Sequence, residues 1–488
     1  MTPTRPVPAL RCWALAVLAL LLVVPGVVAA PPDAQLDRYL ASALARTGLP
    51  GMAVVVTHGA QIVYRKGFGS AGPGRPVTPG TQFRLASLSK SFTALAVLQL
   101  AEAGRVGLDE PVRAYLPEFT TADPGASRRI TVRHLLNHTS GMADAGFPAA
   151  AQYRPESLPQ RVRSLRQARL AGEPGREFHY FDPNYQLLAR IVEVVIGMRF
   201  ETYLRERVFL PLGMGHTVAT ETAADTEATR LAPQLARGHV LVFSVPVARV
   251  ERDGLLTGSG GVISTAEDLA GWLILHSTGR GPSGQALLTP AGMALLHTPP
   301  PGVSGGYGMG WQVVTPAQGP SRLEHHGVLP SFSADQVVLP GTGYAFAVLY
   351  NGNSALADTA AVASGLAALL TGATPPGVRS TRLVAAVLGG LTGLTAAVRV
   401  RGLLRLRGWA QRRRGRPWWA ALPGFGWLLL PVALLAAMPA LLLVSIGRSF
   451  TFWQLCLAMP DVMIFLAVLA VTGVLLAVGR VTVLLRSG

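Results

Sequence analysis

The stretch FRLASLSKSFTALAVLQLAEAG, Phe83 to Gly104, decides how the rest of the chain is read. Its apolar residues from Leu88 to Ala103 recur at helical spacing, and Gly104 is a residue type that commonly closes a helix. Ser87 therefore stands at a helix N-terminus, where unpaired N–H groups and the helix dipole favour negative charge. Lys90 follows three residues later, one turn on and on the same face. The chain carries only two lysines, Lys66 and Lys90, among 43 basic residues. A position that must gain and lose a proton cannot use arginine, whose guanidinium stays charged. A serine hydroxyl needs a base to become a nucleophile, and lysine serves when burial and positive neighbours lower its pKa. Ser-x-x-Lys is a known arrangement of this kind. Taken alone, four residues equally describe a helix cap with a surface lysine, so other stretches must decide. Lys66, at the end of an apolar run, reads as a solvated surface residue.

Outward from this helix the pattern is α/β. MAVVVTHGAQIVYRKGFG (52–69) is two β-rich runs around a turn, and ADQVVLPGTGYAFAVLYN (334–351) repeats the design. Asp33–Arg46 before the first hairpin and Ala355–Leu370 after the last have helical spacing. Helical spacing also marks Val132–His138, Tyr185–Ile196 and Ala266–Leu275 between them. Strands from both ends closing one sheet around a helical insert predict a two-lobed fold. PGREFHYFDPNYQLLARIVE (174–193) puts Tyr180 on a turn just before a helix. LEHHGVLPSF (323–332) puts His325 and Gly327 upstream of a strand, where glycine would let a substrate approach the backbone.

With these stretches in place the chain resembles the serine β-lactamase-related family, which takes in class C β-lactamases, D-alanyl-D-alanine carboxypeptidases, D-aminopeptidases and some esterases. The resemblance covers about Asp33 to Leu370. It rests on Ser87-Leu88-Ser89-Lys90, on Tyr180-Phe181-Asp182 where the family has Tyr-x-Asn, and on His325-His326-Gly327 where it has Lys-Thr-Gly or His-x-Gly. ITVRHLLNHTSGM (130–142) and GSGGVISTAEDLAGWL (258–273) add two structural signatures. The resemblance implies an antiparallel sheet flanked by terminal helices plus a mostly helical lobe, the serine β-lactamase/penicillin-binding-like fold. It implies Ser87 as the acylated nucleophile, with Lys90 and Tyr180 sharing its proton. The N–H groups of Ser87 and Val328 would form the oxyanion hole, and Asp182, His325 and Gly327 would line the substrate side. No cofactor or metal is called for.

Two departures limit the activity. Asp182 in place of asparagine puts a carboxylate beside Lys90, which stabilises the ammonium and hinders a base role. Histidine in place of the lysine of Lys-Thr-Gly removes a cation that, in the family, helps bind the carboxylate of β-lactams and D-Ala-D-Ala peptides. A peptidase, amidase or esterase is therefore favoured over an efficient β-lactamase. The alternative is a catalytically impaired hydrolase fold that binds or senses at the cell envelope. His134 and His138 have a zinc-compatible spacing but no third ligand, so capping and packing are expected of them. STAE (264–267) reads as a capping box.

The formal charge of +17 is not a nucleic-acid signal, because residues 379–488 hold 13 arginines and a single acid, Asp461. The body, 31–378, is left with 28 basic and 25 acidic residues. The only cysteines are Cys12 and Cys456, so no disulfide framework supports the body. Residues 1–30 have the basic start, apolar middle and small-residue end of a signal peptide, with a retained anchor as the alternative. After the Gly/Pro-rich TGATPPGVRS (371–380) come three apolar stretches: Leu383–Val398, Trp418–Ile446, and one within Phe450–Gly479. Spanning a bilayer takes about 20 apolar residues, which the first meets only marginally. Eight arginines separate the first stretch from the second, and one, Arg448, the second from the third. The positive-inside rule then puts the arginine-rich loop in the cytoplasm and the body outside. The expected partners are a small-molecule or peptide substrate, such as a cell-wall peptide, and the lipid bilayer. A transporter is disfavoured, since the spans lack internal ionisable groups.

Overall fold

The computed structural model describes residues 31–147, 157–251, 254–316, 320–413 and 422–487. The signal peptide expected at residues 1–30 lies outside the described residues.

The chain opens with helix α1 (Asp33–Thr47), then strands β1 (Gly51–His58), β2 (Gln61–Gly72) and β3 (Arg75–Pro76). Strand β1 is buried from Gly51 to Thr57, which is why it reads as a continuous apolar run rather than an alternating one. It lies inside a seven-stranded antiparallel sheet, next to the central strand. The C-terminal members are β7 (Gln312–Val314), β8 (Arg322–Val328), β9 (Ser333–Val338) and β10 (Tyr344–Tyr350), and the order is β3-β2-β1-β10-β9-β8-β7. The register Val55↔Ala347 joins the two ends of the body across the sheet centre. Period-two alternation then sorts the side chains. Val54, Val56, Phe346 and Val348 meet α1 and the last body helix, α6 (Thr359–Leu370), through Leu36, Leu40 and Leu366. Ala53, Val55, Ala345 and Ala347 face the helical lobe. Each fully buried Val or Phe here contributes about 1.5–3 kcal/mol.

The helical lobe is built around α2 (Ser89–Glu102), with α3 (Val132–Leu136), α4 (Asp182–Ile196) and α5 (Ala266–Thr278) about it. Helix α2 is buried on every side from Ser89 to Leu98, as a helix lodged between sheet and lobe must be. Phe92 stacks on Trp272 of α5 with ring centroids 3.9 Å apart. A second sheet orders β4 (Gln82–Arg84) beside β6 (Val262–Thr265) and then β5 (Val218–Ala219).

The described elements depart from the expected ones at their ends. The helix expected over Leu88–Ala103 is preceded by a 3₁₀ turn, Ala86–Leu88, which carries Ser87. The helix expected from Ala355 begins at Thr359, the residues before it forming a turn in which the Ala357 N–H donates to the Ser354 carbonyl at 3.0 Å, while the Ala355 N–H donates to the Ala458 carbonyl at 2.8 Å. The cap expected from Ser264 and Glu267 is shifted by one residue. Thr265 accepts from the Asp268 N–H at 3.0 Å, while the Ser264 hydroxyl pairs with Thr217 at 2.7 Å. Lys66 is on the surface, paired with Asp37 at 2.6 Å.

Among the described residues, three helices are long and apolar enough to cross a membrane: α7 (Thr381–Leu404), α8 (Leu422–Ile446) and α10 (Pro460–Ser487). The first is longer than expected. The third starts only at Pro460, because the short helix α9 (Phe452–Ala458), capped by Thr451 and Gln454, takes the residues before it. These helices meet through glycines: a Cβ on Gly473 would stand 2.2 Å from the Leu428 carbonyl. The tail is docked on the body at several points. Thr381 donates to the Thr47 carbonyl at 3.1 Å, the Phe243 N–H donates to Asp461 at 2.6 Å, and Arg249 lies 4.9 Å over the Trp453 ring.

Candidate active site

Ala86, the residue before Ser87, has φ 51°, a conformation uncommon for a residue with a side chain. That bend turns the chain sharply out of β4 and into α2, so Ser87 sits half-buried at the turn. Lys90 is fully buried. Its Nζ donates to Ser87 Oγ at 3.1 Å and to the Ser259 carbonyl at 2.9 Å, and pairs with Asp182 Oδ1 at 2.6 Å. Burial by itself would lower the Lys90 pKa, but Asp182 and Tyr180 outweigh it and hold the ammonium above its ordinary range. Burial would likewise raise Asp182, yet Lys90 and Arg448 keep its carboxyl well below the usual range.

The GSGG loop explains itself at this site. Besides the Ser259 carbonyl on Lys90, the Gly258 carbonyl accepts from Thr93 at 2.7 Å and the Val262 N–H donates to Ser89 at 3.0 Å. Gly258 has φ 79°, and a Cβ there would stand 2.3 Å from the Tyr185 carbonyl.

Tyr180, on the turn before α4, stands 4.9 Å from Lys90 Nζ, measured to its ring centroid. It rests on His138 at 4.4 Å between centroids. His138 is buried and accepts from the Phe181 N–H at 3.2 Å, so its role is to bed the tyrosine turn. His134 closes a capping box with Thr131. Both histidines thus have the capping and packing roles expected from the sequence.

His325 and His326 point to opposite faces of β8, as alternation predicts. His325 is buried, bonds the Tyr307 hydroxyl at 3.0 Å, and is pushed down to about 3 by burial and by Lys90. His326 faces out and is paired with Asp335. Gly327 is also closely approached from within the protein. A Cβ there would meet the Leu85 carbonyl, on the turn that leads to Ser87, at 2.2 Å. Strand β7 covers β8 only over Arg322–Glu324, which leaves the edge from His325 to Val328 open beside Ser87. Val328 itself is 61% exposed.

The structure thus brings Ser87, Lys90, Tyr180, Asp182, His325, Gly327 and Val328 to one place. Sequence reasoning missed Tyr307, the Ser259 carbonyl and Arg448. Arg448, between α8 and α9, reaches Asp182 Oδ2 at 3.0 Å and Asp144 Oδ2 at 3.1 Å, and lies 4.9 Å over the Tyr180 ring. The signal available was its place as the single arginine on the loop assigned to the same side as the body.

Comparison with known families matches residues 36–369 to the family described as Beta-lactamase. Among curated proteins, Protein flp of Staphylococcus aureus (strain N315) is 28% identical over 324 residues, covering 66% of this chain. The chain spans only 63% of that relative's length. Among solved structures, the octameric penicillin-binding protein homologue from Pyrococcus abyssi superposes with a TM-score of 0.61 and 25% identity, covering 71% of this chain and 78% of that one. The beta-lactamase/D-alanine carboxypeptidase from Yersinia pestis, complexed with citrate, gives 0.56 and 25%, covering 69% and 97%.

Proposed function

The chain belongs to the beta-lactamase family, and from that premise we propose that it is a membrane-tethered serine hydrolase acting through an acyl-enzyme on an amide or ester. The observation that carries the reading is the buried Lys90 amine 3.1 Å from the Ser87 hydroxyl. Ser87 Oγ adds to the substrate carbonyl carbon while its proton passes toward Lys90 and Tyr180. The carbonyl oxygen takes negative charge against the N–H groups of Ser87 and Val328. Each such donor contributes about 3–4 kcal/mol in acyl transfer. The C–N or C–O bond then breaks, the leaving group departs with a proton, and water releases the acyl group from Ser87.

Asp182 sets the pH dependence. The ammonium form of Lys90 cannot accept a proton, so acylation rises with pH as the amine is exposed. The neutral, buried His325 favours a substrate face without strong anion recognition, hence small esters, amides or D-amino-acid and wall peptides cut away from a free carboxylate over efficient β-lactam turnover. In this reading residues 31–378 are the hydrolase and 379–488 its bilayer anchor, with the body on the extracytoplasmic side. The Asp182 clamp on Lys90 also favours a second reading, an impaired hydrolase that binds or senses at the envelope.

Intact mass of the full-length protein in detergent, after brief exposure to p-nitrophenyl acetate, separates the two. An adduct on Ser87 that decays with time, and is absent from Ser87→Ala, is the expected result. A persistent adduct would leave acylation without turnover, and no adduct at any pH would leave only the binding reading.

A further inference from the structure

Arg448 is remote in sequence from every other residue of the site and comes from the membrane end of the chain. Its guanidinium takes Asp182 Oδ2 while Lys90 takes Asp182 Oδ1. On its other side it meets Asp144, which also accepts the Ser449 N–H at 2.9 Å. The result is a row of alternating charges, Lys90, Asp182, Arg448 and Asp144, with no net charge. Docking of the neighbouring segment at Trp453, Ala458 and Asp461 holds the loop there.

We propose that Arg448 is a positioning residue of the hydrolase site, and that the loop between α8 and α9 completes this site by sharing the Asp182 carboxylate with Lys90. The proposal rests on the serine-hydrolase reading. A carboxylate paired with Lys90 alone would hold the ammonium more tightly, whereas one divided between two cations holds it less. With Arg448 in place, Asp182 behaves toward Lys90 more as a neutral amide would. The sequence departure at position 182 is thereby compensated 266 residues away.

The other groups facing Lys90 do not supply this compensation. His138 and His325 are both held neutral by burial and by Lys90 itself. Tyr180 and Tyr185 present ring faces at 4.9 and 5.9 Å. Tyr307, which bonds His325, is a buried phenol kept protonated by its surroundings.

The test is the pH dependence of acylation by p-nitrophenyl acetate, followed by quenched-flow intact mass on the full chain in detergent micelles from pH 6 to 12, a range chosen to reach the plateau above the raised Lys90 limb. Four proteins are compared: wild type, Arg448→Ala, Asp182→Asn, and the double variant. Arg448→Ala is expected to move the rising limb to higher pH, slowing acylation at pH 7 about tenfold for each unit moved. Asp182→Asn moves the limb to lower pH, and the double variant returns to wild type or below it. A merely structural Arg448 would slow acylation at every pH without moving the limb, and Asp182→Asn would not restore it; that outcome overturns the proposal. Should Arg448→Ala fail to fold, Asp182→Asn alone still decides, because an unmoved limb overturns it equally. Absence of a Ser87 adduct in the wild type would instead bring down the hydrolase reading, and this inference with it.

Discussion

Gly327 lies so close to Leu85 that an added Cβ would stand 2.2 Å from the Leu85 carbonyl oxygen. The contact presses the open end of β8 against the turn that carries Ser87. Any larger residue must part the two, and with them the two N–H groups proposed to receive the oxyanion. Overpacking of this kind costs about 1–3 kcal/mol in stability. Displacing a catalytic group by about 1 Å costs about 100-fold in rate. Gly327→Ala is therefore expected to lower Tm modestly and acylation of Ser87 by about 100-fold. Stopped-flow acylation beside a melting curve checks this, and an unchanged rate would separate β8 from the chemistry.

Lys90→Arg distinguishes charge from proton transfer. Arginine keeps the positive partner for Asp182 but cannot give up a proton at ordinary pH. General-base contributions are worth about 10²- to 10⁴-fold. The variant is expected to fold and to lose acylation by that factor across pH 6 to 10. Near-native acylation would show that another group takes the Ser87 proton.

His326 and Asp335 form a pH-dependent staple on the far face of the same strand. Asp335 pushes the His326 pKa up to about 10, against burial and with help from Glu324. A histidine raised above its unfolded value of about 6.5 contributes its full stability below that pH. The contribution is lost as pH climbs through about 10. Asp335 is buried, so its loss of a partner in His326→Ala costs about 1–3 kcal/mol, toward the lower end because the imidazole is half-exposed. Thermal melts should show a Tm deficit for the variant at pH 6 that shrinks toward pH 10.5. A deficit constant over that range would mean the pair is not titrating.

Most of the architecture was legible because it depends on local pattern. β1 and β10 are unbroken apolar runs bounded by turns, and Ser87 and Lys90 share one helix face, so spacing alone relates them. The conflict between Asp182 and Lys90 was visible too, since both belong to motifs whose partners the family resemblance supplied. What could not be read depends on contacts without periodicity. The positive φ of Ala86, between β4 and α2, has no mark in a residue type that rarely adopts it. The bed of His138 beneath Tyr180 requires two loops to meet, and so does the close approach of Leu85 to Gly327. Arg448 was seen only as a marker of orientation, because nothing in a one-dimensional pattern links it to position 182.

Asp461, the sole acid of the tail, tests how the spans hold the body. Its side chain is almost fully buried at the first turn of α10 and accepts the Phe243 N–H at 2.6 Å. Phe243 and Ser244 form the tip of the hairpin His239–Val242/Val245–Ala248, with φ of 47° and 63°. A two-residue tip of this shape leaves its amide needing an acceptor, and the carboxylate also suits the positive end of the helix. Asp461→Leu removes the acceptor while keeping size and apolar character. Leaving the amide unpaired costs about 1–3 kcal/mol, or about 5- to 150-fold in local opening. Hydrogen exchange on the full chain should then show Phe243 exchanging faster by that factor, while Asp461→Asn, which keeps an oxygen, remains near wild type. Loosened docking frees the Arg448 loop as well, so Asp461→Leu should carry a smaller version of the alkaline displacement expected of Arg448→Ala. Fast exchange at Phe243 with an unmoved pH limb would mean that the loop is held by Asp144 and Asp182 alone.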